Sequence, residues 1–395
     1  MSSKSKSCSL DPIPSWLLKQ SLDELTPAIT NIISLSLQNG RFLNALKFAN
    51  ITPLIKKQTL DPDNLRNYRP IANLSFLGKT IERAAASQIQ CHLATHNLAG
   101  KMQSAYRKYR SVETALLRVY NDLLLAADEG REAVLVLLDY SAAFDTIDHH
   151  IMLQRLHHRF GINDSALEWF TSYFANRQQS VLINQISSPS RNVNTGVPQG
   201  SVLGPLCFTM YTSPLEDLIA SYGVSCMIYA DDIQLYVTMT EQQRPDAIQR
   251  LESCLTHIQS WSTANKLKLN SDKTEVIHIT SQFKQHTPIE SLRISDCCTR
   301  PVTCARDLGT IITSNLRMQN QHMPLFLPLD LHKIGQIRNF LDKQTTEKFV
   351  HAFISCRLDF CNSLLHCIPD SQTSKLQRIQ NSAARLLRVH HLGNI

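Results

Sequence analysis

The sequence predicts an α+β fold, and three features carry that reading. A short strand, EAVLVLLD (132–139), aliphatic from Ala133 to Leu138 with an acid at its end, lies near the centre of the chain. Two apolar runs flank Asp231-Asp232 in VSCMIYADDIQLYVTMT (224–240), the pattern of a hairpin with acids at its turn. Both flanks instead repeat apolar residues at helical spacing.

Taken in order, residues 9–50 read as helical, punctuated by Asp11-Pro12 and Pro14, with Leu17, Leu18, Ile29, Ile32 and Ile33 on one face and a stop at Asn39-Gly40. ITPLIKK (51–57) is a short strand running into two lysines, followed by the turn-rich DPDNLRN and by YRPIANLSF. Helix returns over 78–128, broken near Asn97–Gly100. After the central strand, residues 142–161 read as one helix with a glycine stop, and 164–176 as a second. QSVLIN is a strand, and NTGVPQGSVLGP is a Gly/Pro loop opening an apolar helix through Ala220. Beyond the hairpin, 244–265 is helical, LKLN…TEVIHIT is a turn and strand, and 341–391 is mostly helical.

Composition bounds what such a chain can be. At 395 residues and 43% hydrophobic content it is long enough for two or three domains with a sizeable core. Its 12 glycines are too few for a collagen-like or linker-rich chain. No apolar run reaches the ~18–20 residues that cross a bilayer, and MSSKSKSCSL lacks the apolar stretch of a leader. The 11 cysteines are odd in number and form no C-x-x-C pair, so reduced thiols in a nuclear or cytoplasmic protein are expected.

Charge is partitioned along the chain. Residues 1–130 carry a net +6, residues 131–240 a net −5, and residues 241–395 a net +6. An acidic centre between basic flanks suits a metal-dependent enzyme acting on a polyanion, the flanks holding phosphates and the centre divalent cations. The candidate ligands are Asp139 at the end of its strand and the pair Asp231-Asp232 between apolar runs. Carboxylates at the ends of buried strands are costly unless a cation neutralises them. Mg²⁺ matches a few carboxylates, water and substrate phosphates, and two such ions ~3.5–4 Å apart would drive an in-line displacement at phosphorus. Taken alone, Tyr-Ala-Asp-Asp is equally an Asp-rich hairpin turn. The third element is the loop Pro198-Gln199-Gly200 at the mouth of a helix.

LLDYSAAFDTIDH, GVPQGSVLGP and YADDIQLY, in that order and spacing, resemble motifs A, B and C of a reverse transcriptase of the non-LTR (LINE-type) retrotransposon family. NYRPIANLSFLGKTIER, QSAYR…SVETALL, LKLNSDKTEV and CRLDFCNSLL resemble further blocks of that family, so the likeness covers about residues 9–310 and 338–390. It implies a right-hand polymerase: an N-terminal extension and fingers over 1–130, a palm with an antiparallel sheet and packed helices over 131–280, and the palm end, primer grip and helical thumb over 281–395. The implied activity is RNA-directed DNA synthesis with two Mg²⁺ ions, Mn²⁺ being an alternative. The implied partners are an RNA template, a DNA primer and dNTPs, with no membrane. A retroelement remnant that binds nucleic acid without polymerising is the alternative of a different class, and an RNA-templated RNA polymerase, sharing the palm carboxylates, is the other.

The resemblance also implies roles. Asp139, Asp231 and Asp232 would be the metal-binding carboxylates, Asp232 the more structural of them. The backbone beside Tyr140 and Ser141 would meet the triphosphate. Phe144 would lie under the sugar and exclude a 2′-hydroxyl, unless it is a core aromatic. Gln199 and Gly200 would pack against the incoming nucleotide and template, and Lys57 (or Lys56) and Arg69 would grip the triphosphate. Lys273 would protonate the leaving pyrophosphate, the other reading being a solvated turn lysine. Asp145 and Asp148 are expected as helix N-terminal acids.

The chain departs from the family in three places. Residues 107–113 read Arg-Lys-Tyr-Arg-Ser-Val-Glu where Arg-x-x-His-Ser-Thr-Glu is usual, and Ile233 replaces a frequent Thr. Segment 317–333, with Pro324 and Pro328 in apolar text, is atypical, and it is not expected to form the amphipathic start of a thumb. The endonuclease usual upstream is not expected either, residues 1–8 being too few to hold one. The His-His pairs and the Cys356, Cys361, His366, Cys367 set lack metal-site spacing, and no zinc is expected.

Overall fold

The computed structural model describes residues 10–11, 13–281, 287–294, 297–316, 327–366 and 368–388. The N-terminal helical stretch is α1 (Ser15–Gln20) and α2 (Leu22–Gln38). Strands β1 (Phe48–Ile55) and β2 (Tyr68–Asn73) form an antiparallel pair, followed by α3 (Phe76–Thr95) and α4 (Val112–Asp128). The break between those two helices is longer than its Asn97–Gly100 signal, because Ser111 and Thr114 form a reciprocal cap that starts α4 only at 112. Next come β3 (Glu132–Leu138), β4 (Tyr140–Ser141), α5 (His149–His158), α6 (Asp164–Phe174), β5 (Arg177–Ile183), β6 (Ile186–Ser187) and β7 (Arg191–Val193).

The helix expected over 142–161 is confined to 149–158. Ala142 sits at φ +52, and the Asp145 N–H closes a turn onto its carbonyl. The Asp148 carboxylate then accepts the N–H groups of His150 and Ile151 at 2.9 and 3.0 Å, so the first helical turn starts after it. Asp148 is thus the helix cap, and Asp145 lies outside the helix.

The apolar helix after the Gly/Pro loop is also divided, into α7 (Gly204–Thr212) and α8 (Pro214–Ser221). Pro214 has no N–H with which to continue the ladder. The acidic hairpin forms as expected from β8 (Ser225–Tyr229) and β9 (Asp232–Met239), before α9 (Arg244–Ala264), β10 (Lys268–Leu269) and β11 (Glu275–Ile279). Two hairpins without a sequence forecast follow: β12 (Leu292–Ile294) with β13 (Cys297–Thr299), and β14 (Cys304–Asp307) with β15 (Thr310–Thr313). The chain closes with α10 (Leu327–Ile337), α11 (Lys343–Val350), α12 (Cys356–Asp359) and α13 (Asp370–Arg388).

The chain divides into two compact units. The first holds residues through Tyr106, Tyr140–Leu218 and His257–Asn270. Its sheet runs β2-β1-β5-β6, with β7 also on β5. Phe42, Trp169 and Tyr173 pack edge-on and stacked beside it. Beneath the Gly/Pro loop lies buried Glu82, which accepts the Val202 N–H at 2.6 Å and the Tyr173 hydroxyl at 3.1 Å, with the buried Arg177 guanidinium 4.0 Å away. Burial raises the Glu82 carboxyl above its ordinary value, against the pull of Arg177 and these donors.

The second unit holds Arg107–Asp139, Ile219–Thr256 and the chain from Ser271. Its sheet runs β11-β3-β9-β8, antiparallel throughout, and every residue of β3 is buried. One face of α4, Ala115, Leu116, Val119, Tyr120 and Leu123, packs on this sheet, each buried Leu contributing about 1.5–3 kcal/mol. At the far end of β3, Glu132 is clamped by Arg244 at 2.6 and 2.8 Å and by His278 at 2.8 Å. Removing one partner of such a buried pair typically costs about 3–5 kcal/mol.

Residues 317–326 of the atypical segment lie outside the described residues. Residues 327–333, however, form the first turns of α10, contrary to expectation. Leu327, Leu331 and Ile334 recur at helical spacing and join Val350, Ile354, Leu358 and Ile379 in one core. Pro328 falls in the first turn, where no N–H is required of it.

Candidate active site

Strand register brings the acids of the second unit together. Leu137 pairs with Gln234 and Leu138 with Ile233, so one step further Asp139 reaches the level of Asp232. On the other side of β9, Tyr229 pairs with Asp232, leaving Ala230 and Asp231 as a two-residue turn. Ala230 takes φ +60, a conformation that costs an L-residue roughly 1 kcal/mol and that this tight turn requires. β11 pairs with the opposite edge of β3, Glu275 against Leu137. The turn before it therefore delivers Lys273 to the same end, where its ammonium pairs with Asp139 Oδ2.

Electrostatics register the crowding. The Asp232 carboxyl is pushed up to about 6 by partial burial first, then by the like charges of Asp231 and Asp139, with Lys273 working the other way. A fourth carboxylate, Asp307 at the end of β14, is buried, and both its oxygens accept from Gln234 Nε2 at 2.8 Å. Burial pushes it up to about 7, with Gln234 opposing and Asp232 adding to the rise. A cavity of about 390 Å³ is lined by Asp139, Asp232, Lys273, Arg306 and Asp307 among others.

Among the described residues, no three His, Cys, Asp or Glu side chains are gathered closely enough to grip an ion as they stand, and Lys273 occupies one oxygen of Asp139. The donor set nevertheless fits a hard divalent cation. Its oxygens belong to carboxylates, and Asp231 and Asp139 add like-charge repulsion to the burial of Asp232, which a bound cation would relieve.

The remaining sequence candidates lie in the first unit. Tyr140 is buried, with its hydroxyl 2.9 Å from Ser262 Oγ, and burial pushes that phenol above its ordinary value. Ser141 pairs with Lys268 across β4 and β10. Phe144 is half-buried, its ring centroid 5.4 Å from that of Phe208, so it is neither a free ring nor a fully buried one. Gln199 and Gly200 form the turn before α7, and the Gln199 carbonyl accepts the Ala72 N–H at 2.7 Å. On the β1–β2 hairpin, Arg69 stands opposite Leu54 and is exposed, as is Lys57. Lys56 is committed locally, its ammonium donating to the Arg66 carbonyl at 2.7 Å.

The structure adds three residues to the sequence candidates. Asp307 and Gln234 meet across 73 positions, and no local pattern announces that pair. Asp145, expected at a helix terminus, instead accepts from Gln199 Nε2 at 2.9 Å.

Comparison with known proteins identifies the family and the fold. Residues 55–321 match the family described as reverse transcriptase (RNA-dependent DNA polymerase). The RNA-directed DNA polymerase from mobile element jockey of Drosophila funebris is 28% identical over 255 residues, 63% of this chain and 27% of that protein. Its Drosophila melanogaster counterpart is 27% identical over 257 residues, 64% of this chain and again 27% of that protein. The chain thus spans about a quarter of the length of these relatives. Among solved structures, apo telomerase from Candida tropicalis aligns with a TM-score of 0.50 and 10% identity, over 87% of this chain and 63% of that one. That likeness is one of fold, the right-hand polymerase.

Proposed function

The chain belongs to the reverse transcriptase (RNA-dependent DNA polymerase) family, and from that premise we propose that it extends a DNA primer with dNTPs on an RNA template. The observation that carries this reading is the strand register that sets Asp139 level with Asp232, with Asp231 in the adjoining turn between β8 and β9. Divalent cations, two Mg²⁺ or Mn²⁺, would supply activation of the primer 3′-hydroxyl and stabilisation of the leaving pyrophosphate. Asp139 and Asp231 are assigned as their principal ligands, with Asp232 supporting.

Lys273, already beside Asp139, is assigned as the proton donor to pyrophosphate. Lys56, Lys57 and Arg69 are assigned to the triphosphate, as is the backbone at Tyr140 and Ser141. Phe144 is assigned to rejecting a ribose, and Gln199 with Gly200 to the nucleotide and template. No helix among the described residues is long and apolar enough to cross a membrane.

The alternative, a remnant that binds nucleic acid without polymerising, rested on segment 317–333. The helical packing of residues 327–333 argues against that reading. The test is extension of a labelled primer on an RNA template with Mg²⁺, run beside primer–template binding by fluorescence anisotropy. Template-directed extension is expected, and tight binding without extension overturns the polymerase assignment.

A further inference from the structure

Asp145 has no part in the assignments above, yet its surroundings are unusually constrained. Its carbonyl accepts from Thr195 Oγ1 at 3.3 Å, and on either side Phe144 O takes the Val197 N–H at 2.8 Å and Ile147 O the Gly196 N–H at 2.7 Å. Gly196, at φ +81, makes this seating possible, since a Cβ there would lie 2.7–2.8 Å from the Asp145 backbone. Gln199 is fixed from the other direction. Its carbonyl is held by the Ala72 N–H at 2.7 Å, and the next residue, Gly200 at φ +124, lies so close that a Cβ would come within 2.6 Å of the Ala72 carbonyl. Between these two anchored backbones, Gln199 Nε2 donates to Asp145 Oδ2 at 2.9 Å.

An ionised carboxylate offers only acceptors, so the amide nitrogen of Gln199 must face Asp145 and the amide oxygen must face away. Both residues line a cavity of about 440 Å³. We propose that Asp145 is a positioning residue, which holds the Gln199 amide in one orientation so that Oε1 is presented as an acceptor to a hydrogen-bond donor on the incoming nucleotide. The proposal rests on the assignment of Gln199 to the nucleotide. Without Asp145 the amide rotates freely and presents donor and acceptor alike, and nucleotide binding weakens while the chemical step is left alone.

A donor–acceptor exchange tests this directly. The dissociation constant of dNTP from the protein–primer–template complex is measured for the unsubstituted chain, D145A, Q199E and Q199E/D145N, with KM and kcat read in parallel from extension. D145A is expected to weaken dNTP binding about tenfold or more with kcat changed less than about threefold. Q199E sets two carboxylates against each other and is expected to weaken binding at least as much. In Q199E/D145N the amide introduced at position 145 donates to the carboxylate introduced at position 199. The outer carboxylate oxygen is then left as acceptor, and binding recovers to within about threefold of the unsubstituted chain. Recovery would not follow if Asp145 merely stabilised the loop, and the thermal midpoint of each variant records folding separately. A double variant no better than Q199E overturns the proposal, as does D145A with unchanged dNTP affinity. An unsubstituted chain that binds dNTP without extending the primer overturns the polymerase reading alone, since the binding series still decides Asp145. One that binds no dNTP overturns both.

Discussion

Lys273 donates from Nζ to Oδ2 of Asp139, joining a turn lysine to the acid that ends the central strand of its sheet. Its ammonium is a counter-charge to the carboxylates of Asp139 and Asp232. Replacing it with Met removes both that charge and the assigned proton donor. In K273M, Mg²⁺ is expected to raise the thermal midpoint at lower concentrations than in the unsubstituted chain, because no ammonium competes for Asp139. At the same time kcat is expected to fall about a hundredfold. Full kcat in K273M would reduce Lys273 to a counter-ion.

Asp307 makes stability depend on pH. Its folded value of about 7 lies above the unfolded carboxyl, so the folded state keeps its proton longer. Stability from this group is therefore full below about pH 4 and is lost as pH rises from there towards 7. D307N should remove that loss, and its amide can also donate to Gln234 Oε1, which is buried without a partner. The neighbouring charges on the cavity, Asp139, Asp232, Asp272, Lys273, Glu275 and Arg306, are the same in both proteins. Thermal midpoints at pH 5 and pH 8 decide the matter. D307N should gain on the unsubstituted chain mainly at pH 8, and an equal gap at both pH values would contradict the assignment.

Much of this was legible in the sequence, for identifiable reasons. The central strand and the acidic hairpin declare themselves because Ala133–Leu138 is aliphatic throughout and VSCMIYADDIQLYVTMT carries its acids only at the turn. The false helical start over 142–148 arose because Ala142, Ala143 and Phe144 look helical, whereas Asp148 supplies a cap and Ala142 adopts positive φ. The β14–β15 hairpin was missed because CARD and TIIT are four-residue strands without clear alternation. Asp307 was invisible for a deeper reason: its role exists only through Gln234 and Asp232, residues that pairing in space, and no local pattern, brings near it.

Phe144 gives the test of sugar choice. The ring is half-buried against Phe208, so trimming it to Val removes bulk without emptying the core. A ribose 2′-hydroxyl placed against the native ring would clash and lose its hydration without a partner. F144V is therefore expected to lower the ratio of kcat/KM for dNTP over rNTP by at least about tenfold, with the dNTP value itself changed only a few-fold. An unchanged ratio would make Phe144 a packing residue.

The central claim is that the acids at the shared strand ends perform the chemistry, and Asp231→Asn tests it most directly. The substitution keeps shape and removes one negative charge from the two-residue turn between β8 and β9. RNA-templated primer extension with Mg²⁺ is measured for the variant and the unsubstituted chain, with primer–template affinity measured on the same preparations. The account predicts that extension falls by at least about a thousandfold while affinity stays within about threefold. Turnover in Asp231→Asn equal to that of the unsubstituted chain would contradict it.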